Sequence, residues 1–129
     1  MVTQGTGRAG SLELRQALQE KWITVEEVAD RALIDRLTVP NITKTDATVI
    51  AAALIHHATL LLADDIAVRT LAMREGLTVM GTIGILVHAR LEGIIDRLRP
   101  VLDQLMAFGL YLDPAGRVYQ DALRRVQER

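Results

Sequence analysis

Two apolar segments lie in the middle of the chain, with carboxylates only at their ends. Residues 47–57 are apolar nearly all round a helix, which predicts a buried helix. Residues 59–63 form a continuous apolar run, which is typical of a strand covered on both faces. Asp46 stands at the start of the predicted helix, and Asp64 and Asp65 follow the predicted strand.

The rest of the chain alternates short apolar runs with helical patterns. Further helices are predicted over residues 11–21, 26–37, 66–75, 83–91, 95–108 and 114–127, a further strand over residues 77–80, and a short strand or extended segment over residues 22–25. Ser11 is the predicted cap of the first helix, and Thr43 to Asp46 has the form of a capping box. Helices that alternate with strands imply a parallel sheet with helical crossovers, so the predicted class is α/β.

Composition narrows the function. The 129 residues are 50% hydrophobic and carry a net charge of −1, so we expect one domain with a real core and no general attraction to nucleic acid. The absence of cysteine excludes disulfides, thiolate metal sites and cysteine nucleophiles. Residues 1–10 are rich in Gly and Thr and lack the apolar core of a secretion signal, so we predict a flexible start followed by one domain over residues 11–129.

No membrane span is expected. The longest apolar stretch, residues 47–63, is interrupted by His56 and His57. It is also shorter than the roughly 18 residues that a spanning helix needs. A cytoplasmic protein is therefore the expectation.

The three aspartates have two interpretations. If the helix and the strand pack antiparallel, Asp46, Asp64 and Asp65 lie at the same pole, and oxygen ligands of this kind are those that hard divalent cations prefer. Parallel sheets also bind ligands beyond the carboxyl ends of their strands, where Asp64 and Asp65 lie. In the alternative interpretation, Asp46 is a first-turn residue favoured by the helix dipole, Asp64 caps the following helix, and Asp65 lies in its first turn.

Basic residues offer candidates for phosphate binding. Arg69 and Arg74 lie on the predicted helix that follows Asp64 and Asp65. Residues 81–84 lack the glycine spacing and the lysine of a phosphate loop, so they predict a tight turn in which the Thr82 N–H is free to contact a phosphate. The last helix is mildly basic, and we interpret its arginines as a solvated face. They are Arg117, Arg124, Arg125 and Arg129.

Several segments together resemble a known family. They are GRAGSLELRQAL followed by WITV, then TDATVIAAAL, LLLADDIAVRTLAMREGLTVMGTIGILVHARLEGII and RPVLDQLMAFGLYLD. In their order and spacing they resemble PIN-domain-like proteins of bacteria and archaea, which are related to VapC-type toxin ribonucleases. The resemblance extends over roughly residues 7–127.

The resemblance implies a fold, a reaction and a set of residues. The implied fold is a three-layer α/β/α arrangement with a small, mainly parallel sheet. The implied reaction is hydrolysis of RNA with Mg²⁺ or Mn²⁺, and the implied partners are RNA and an antitoxin protein. By position, the implied catalytic residues and metal ligands are Asp46, Asp64 and Asp65. The nucleic-acid contacts that we predict from their positions in the sequence, beside these residues, are Arg69, Arg74 and Thr82.

The chain also departs from the family pattern. Typical members open with a hydrophobic strand that ends in Asp, and nothing before Gly7 matches it. We therefore expect a PIN-like domain without its N-terminal strand, with a weakened metal site and reduced activity. The alternative is a non-catalytic remnant that binds partners or forms homo-oligomers through an open sheet edge.

Overall fold

A computed structural model describes residues 10–110, 112 and 116–129. The predicted flexible segment lies outside these residues except for Gly10, and so does Pro114, the predicted start of the last helix. The chain divides into two compact units, residues 1–31 and 32–129.

The described part of the first unit contains one helix. Helix α1 spans Ser11–Gln19, and its N-cap is Gly10 with a φ of 86°. The prediction that Ser11 caps this helix is wrong, because Ser11 is already its first helical residue. Of the two alternatives for residues 22–25, the strand is wrong, since these residues are bends and irregular backbone. A short β-prone segment becomes a strand only where a neighbouring strand pairs with it.

The first half of the second unit supplies the sheet. Its elements are α2 (Arg31–Leu37), which begins at the last residue of the first unit, α3 (Lys44–Ile55), β1 (Leu61–Leu62), α4 (Ile66–Arg74) and β2 (Val79–Met80). Strands β1 and β2 pair in parallel, with Leu61 opposite Val79 and Leu62 opposite Met80. Helix α4 makes the crossover between them and packs against α3 and β2. The carboxyl ends of both strands therefore open on the same edge of the sheet.

Helix α3 is less buried than its composition predicts. Its capping box is formed, with Thr43 as N-cap and Asp46 as the reciprocal partner. Ala47, Ile50, Ala51 and Ala53 are buried, whereas Val49 and Ile55 remain exposed. This apolar helix therefore has one solvent-facing side.

The second half is a bundle of three helices. They are α5 (Thr82–Leu91), α6 (Leu98–Ala107) and α7 (Arg117–Arg125). Their facing residues form a buried cluster: Val87, Leu98, Leu102, Tyr119, Ala122, Leu123 and Val126. Helix α5 packs against both α6 and α7, and its first residue follows the end of β2 by two positions in the chain.

The architecture confirms the predicted class. The described residues form seven helices and a two-stranded parallel sheet, which is a small α/β fold. Each helix in this part of the chain is too short or too polar to cross a bilayer.

Candidate functional site

Asp64 lies just beyond the carboxyl end of β1 and is bound to the start of α5. Its Oδ1 accepts the Thr82 N–H at 2.7 Å, and its Oδ2 accepts the Thr82 hydroxyl at 2.6 Å. The N-cap of α5 is Gly81, which has no side chain to cap the helix. The Asp64 carboxylate therefore caps α5 from another part of the chain, where the positive end of the helix dipole favours an anion.

Gly81 permits this close approach. A Cβ at Gly81 would lie 2.7 Å from Asp64 Oδ1 and 3.3 Å from Arg69 Nη1. Any larger residue would therefore displace the carboxylate. The same geometry shows that the Arg69 guanidinium and the Asp64 carboxylate both lie close to Gly81.

The surroundings of Asp64 favour its ionised form. The hydrogen bond from the Thr82 hydroxyl lowers the pKa of Asp64 most, the bond from the Thr82 N–H lowers it further, and partial burial opposes both. The positive charge of Arg69 also lowers this pKa. Asp64 is thus a fixed, solvent-exposed anion at neutral pH.

Asp65 and Asp46 have local structural roles. Asp65 is the N-cap of α4, and its Oδ1 accepts the Val68 N–H at 3.1 Å. Asp46 Oδ2 accepts the Thr43 N–H at 3.2 Å within the capping box of α3. The alternative interpretation of the sequence had Asp64 as the cap of α4, and that assignment is wrong because Asp65 occupies the position.

The three aspartates do not form one cluster. Across residues 10–110, 112 and 116–129, no three His, Cys, Asp or Glu side chains are grouped so as to hold a metal ion. No charged side chain in these ranges is buried either, so the premise of carboxylates inside a core is not met. The predicted roles of Asp46, Asp64 and Asp65 in metal binding and catalysis stay predictions.

A cleft opens beside Asp64, with a volume of about 340 Å³. We call it the Asp64 cleft. Its polar lining is Asp64, Arg69 and Arg125, and its apolar lining includes Met80, Ile83 and Val118. Of the predicted nucleic-acid contacts, Arg69 therefore lies in the cleft, and Thr82 lies at its edge through its bonds to Asp64. The prediction that the Thr82 N–H is free is wrong, because this N–H donates to Asp64 Oδ1.

Arg74 lies elsewhere. It lines a second cleft, of about 250 Å³, together with Pro40, Asn41 and Thr70. Arg69 and Arg74 are five positions apart on α4, and five helical residues turn the chain by about 140° relative to the starting face. The two arginines therefore serve different surfaces, and Arg74 is not part of the Asp64 cleft.

Two residues of the cleft are not identifiable as site residues from the sequence pattern alone. Arg125 was assigned to a solvated face, yet it lines the cleft 61 positions after Asp64. Gly81 was interpreted only as part of a turn, whereas it also makes room for the Asp64 carboxylate. For Gly81, the one local signal is a glycine two positions before the helix predicted over residues 83–91.

Comparison with protein-family models shows which family the chain is similar to. The family model DUF3368, which describes a PIN domain, matches residues 1–128 of the chain. This family is generally nuclease-like. Searches of curated proteins and of solved structures gave no match.

Proposed function

This chain belongs to the PIN domain family, and we propose that it is a metal-dependent ribonuclease whose reaction takes place in the Asp64 cleft. The observation that supports the proposal is an ionised aspartate held at the carboxyl end of a parallel strand, next to a cleft lined by two arginines. Ligands of open parallel sheets bind at this edge. Arginine guanidinium groups match the geometry of phosphate oxygens.

The donor set fits a weakly held Mg²⁺ or Mn²⁺ ion. Mg²⁺ is commonly bound through one or two carboxylates, with waters and substrate phosphates filling the other positions. A carboxylate has about four lone-pair sites, and Thr82 occupies one on each oxygen of Asp64. Asp64 would hold the ion, and we keep Asp65 and Asp46 as further proposed ligands. When bound, the ion supplies Lewis-acid stabilisation of charge on phosphoryl oxygens.

The chain's own residues supply orientation and charge. Thr82 fixes both carboxylate oxygens of Asp64, so the proposed ligand does not need to reorganise when substrate arrives. Arg69 lies beside Asp64 and contacts a phosphate oxygen in the proposed complex. The apolar wall of Met80, Ile83 and Val118 excludes water from one side of the phosphodiester.

The test is RNA cleavage by the purified chain with Mn²⁺ or Mg²⁺. Loss of a metal ligand removes several kcal/mol of charge stabilisation, so Asp64→Asn is expected to lower the rate by about 100-fold or more. The introduced amide can still accept the Thr82 N–H and pair with the Thr82 hydroxyl, which preserves the cap of α5. Chelation by EDTA is expected to abolish the remaining activity.

Asp96→Asn is the matched control. Asp96 is exposed and lies beyond Leu91, the last residue of α5. A ten-residue helix is about 15 Å long, so this substitution removes the same charge far from the cleft and is expected to leave the rate unchanged. Equal rates in wild type, Asp64→Asn and Asp96→Asn would overturn the assignment of the site.

A role as a toxin is a more specific version of the same proposal. We propose that a ribonuclease of this kind acts on cytoplasmic RNA and is held in check by an antitoxin protein. The support is the family resemblance of the sequence. The nuclease activity is the necessary condition for it, so failure of the Asp64→Asn experiment removes this role as well.

A second candidate is an assembly module. Leu61 and Ala63 donate their N–H groups to Thr78 and Met80 of the neighbouring strand, so the backbone of Leu62 faces the other edge of β1. Within the described ranges no strand pairs with that edge. Unpaired edges are templates for pairing with another chain, and this supports homo-oligomers as the alternative to catalysis.

A further inference from the structure

Arg125 is a cation in the Asp64 cleft that no carboxylate of the described residues neutralises. It makes no hydrogen bond or ion pair with any residue in these ranges. Its neighbour Arg124 donates to Asp121 at 3.0 Å and is paired. Two arginines and one aspartate line the cleft, so the lining carries a net positive charge even with Asp64 ionised. A cleft with this charge is suited to an anion.

Helix geometry explains why Arg125 reaches the cleft and Arg124 does not. Val118 and Arg125 are seven positions apart, a spacing that returns to within about 20° of the same helix face. Both line the Asp64 cleft. Arg124 is turned by about 100° from Arg125 and pairs along the helix instead. The inner face of α7 is fixed by Tyr119 and Leu123, which are buried, so the cleft-facing side of α7 is fixed as well.

The shape and lining of the cleft select among anions. Its volume of about 340 Å³ is at the small end of the range for ligand sites. A cleft of this size suits one nucleotide of a single strand rather than a duplex. Met80, Ile83 and Val118 offer an apolar wall for a base or sugar, with methionine sulfur a favourable neighbour for an aromatic ring. Among the described residues, the lining contains no aromatic side chain, so stacking contributes little and the phosphate contacts dominate affinity.

We propose that Arg125 is a phosphate-binding residue of the Asp64 cleft, and that Arg69 and Arg125 together hold the backbone of single-stranded RNA beside Asp64. This inference rests on the proposed ribonuclease function. It assigns to the last helix a direct role in substrate binding. Because the phosphate contacts carry no base information, the contribution of Arg125 is the same for different RNA sequences.

The test is binding of a fluorescent single-stranded RNA oligonucleotide to the full chain, measured by anisotropy in EDTA over a range of salt. One neutralised phosphate contributes about 0.7 to the slope of log affinity against log salt for a single strand. Arg125→Gln is expected to reduce the slope by about 0.7, which corresponds to roughly fivefold weaker binding at about 0.1 M salt. Arg125→Lys keeps the charge and is expected to retain most of the slope.

Arg124→Gln is the matched control, since it removes the same charge from the preceding position of the same helix. It is expected to leave the slope unchanged, and thermal unfolding of both variants checks that α7 is intact. If Arg124→Gln and Arg125→Gln reduce the salt slope equally, the inference is overturned, because the loss would then result from the general reduction of positive surface charge.

The outcomes separate this inference from the ribonuclease proposal. RNA binding that depends on Arg125, without metal-dependent cleavage, supports the phosphate contact and contradicts the proposed nuclease activity. Cleavage that depends on Asp64, with binding independent of Arg125, supports the nuclease and overturns the role of Arg125. Absence of RNA binding by the wild type overturns the role of Arg125, and absence of metal-dependent cleavage as well overturns both proposals.

Discussion

At the scale of single residues, the Asp64 carboxylate is the centre of the site because two donors of one residue hold it. Thr82 contributes its N–H and its hydroxyl, and Gly81 leaves the space in which they meet the carboxylate. Asp64 is ionised in this arrangement, since both bonds are stronger to the anion. The same contacts that prepare Asp64 as a ligand therefore also stabilise the fold.

Replacement of Thr82 by Val is expected to raise the pKa of Asp64 and lower stability at neutral pH. The folded-state pKa of Asp64 is below its ordinary value of 3.8. The stabilisation is therefore fully present above pH 3.8 and is lost as the pH falls through the folded-state pKa. The difference in unfolding free energy between wild type and Thr82→Val is expected to be about 1 kcal/mol or less at pH 7, because Asp64 is exposed, and to shrink in acid.

Urea unfolding at pH 7 and pH 3, with an NMR titration of the Asp64 carboxyl carbon, measures both effects. Thr48→Val is the control, because the Thr48 hydroxyl donates to the Lys44 carbonyl and contacts no titrating group. A titration midpoint of Asp64 that is unchanged in Thr82→Val would show that the Thr82 hydroxyl does not lower the pKa of Asp64.

At the scale of elements, the helices of the second unit are capped in two ways. Thr43 caps α3 and Asp65 caps α4, each from the position directly before the helix. Helices α5 and α6 receive no side-chain cap from their own N-cap residues. Asp64 caps α5 instead, and Glu128 accepts the N–H of Leu98 in the first turn of α6 at 2.7 Å.

Glu128 is expected to be important for the stability of the α5–α6–α7 bundle. Its side chain is only 10% exposed and lies 3.6 Å from Arg97 and 4.0 Å from Arg90. Glu128→Ala leaves the Leu98 N–H without its acceptor and removes the anion beside the partly buried Arg90, which is expected to cost about 1–3 kcal/mol. Glu128→Gln keeps an acceptor for Leu98 and is expected to cost less. Chemical denaturation of the two variants gives the comparison, and equal costs would show that only the charge matters.

The two kinds of cap differ in whether the sequence predicts them. The capping box of α3 involves residues three positions apart and was visible as a local pattern. The short strands β1 and β2 were visible as apolar runs that a crossover helix separates. The bond from Thr82 to Asp64 spans 18 positions and that from Leu98 to Glu128 spans 30. Such partners are chosen by tertiary packing, which no local pattern encodes.

One predicted strand is absent and one predicted helix is longer than the observed helix, and both differences have the same cause. The segment at residues 22–25 has the β-branched composition of a strand but no ladder in the structure, and propensity alone does not make one. The second predicted helix began at residue 26, whereas α2 begins at Arg31. Helix formation without tertiary contacts is marginal over a few residues, so composition did not determine where α2 begins.

At the scale of the whole molecule, a narrow sheet carries an apolar edge that no described strand pairs with. Leu62 on β1 is 57% exposed, Leu60 just before β1 is 40% exposed, and Ile66 at the start of α4 is 81% exposed. Natural proteins protect such edges with charged residues, especially lysine. The lack of this protection along the described edge is consistent with a partner strand, from a second copy of the chain in the assembly-module alternative.

Leu62→Lys distinguishes assembly through this edge from a monomeric nuclease. If β1 pairs with another copy, wild type is expected to sediment as a dimer or larger species, and Leu62→Lys as a monomer, because lysine on the edge opposes pairing. Leu91→Lys is the control, since Leu91 is 61% exposed on α5 and lies away from the sheet. Sedimentation velocity over a range of concentrations decides between them. A wild type that stays monomeric throughout would contradict the assembly module, whereas a dimer that persists equally in Leu62→Lys would show that association uses a different surface.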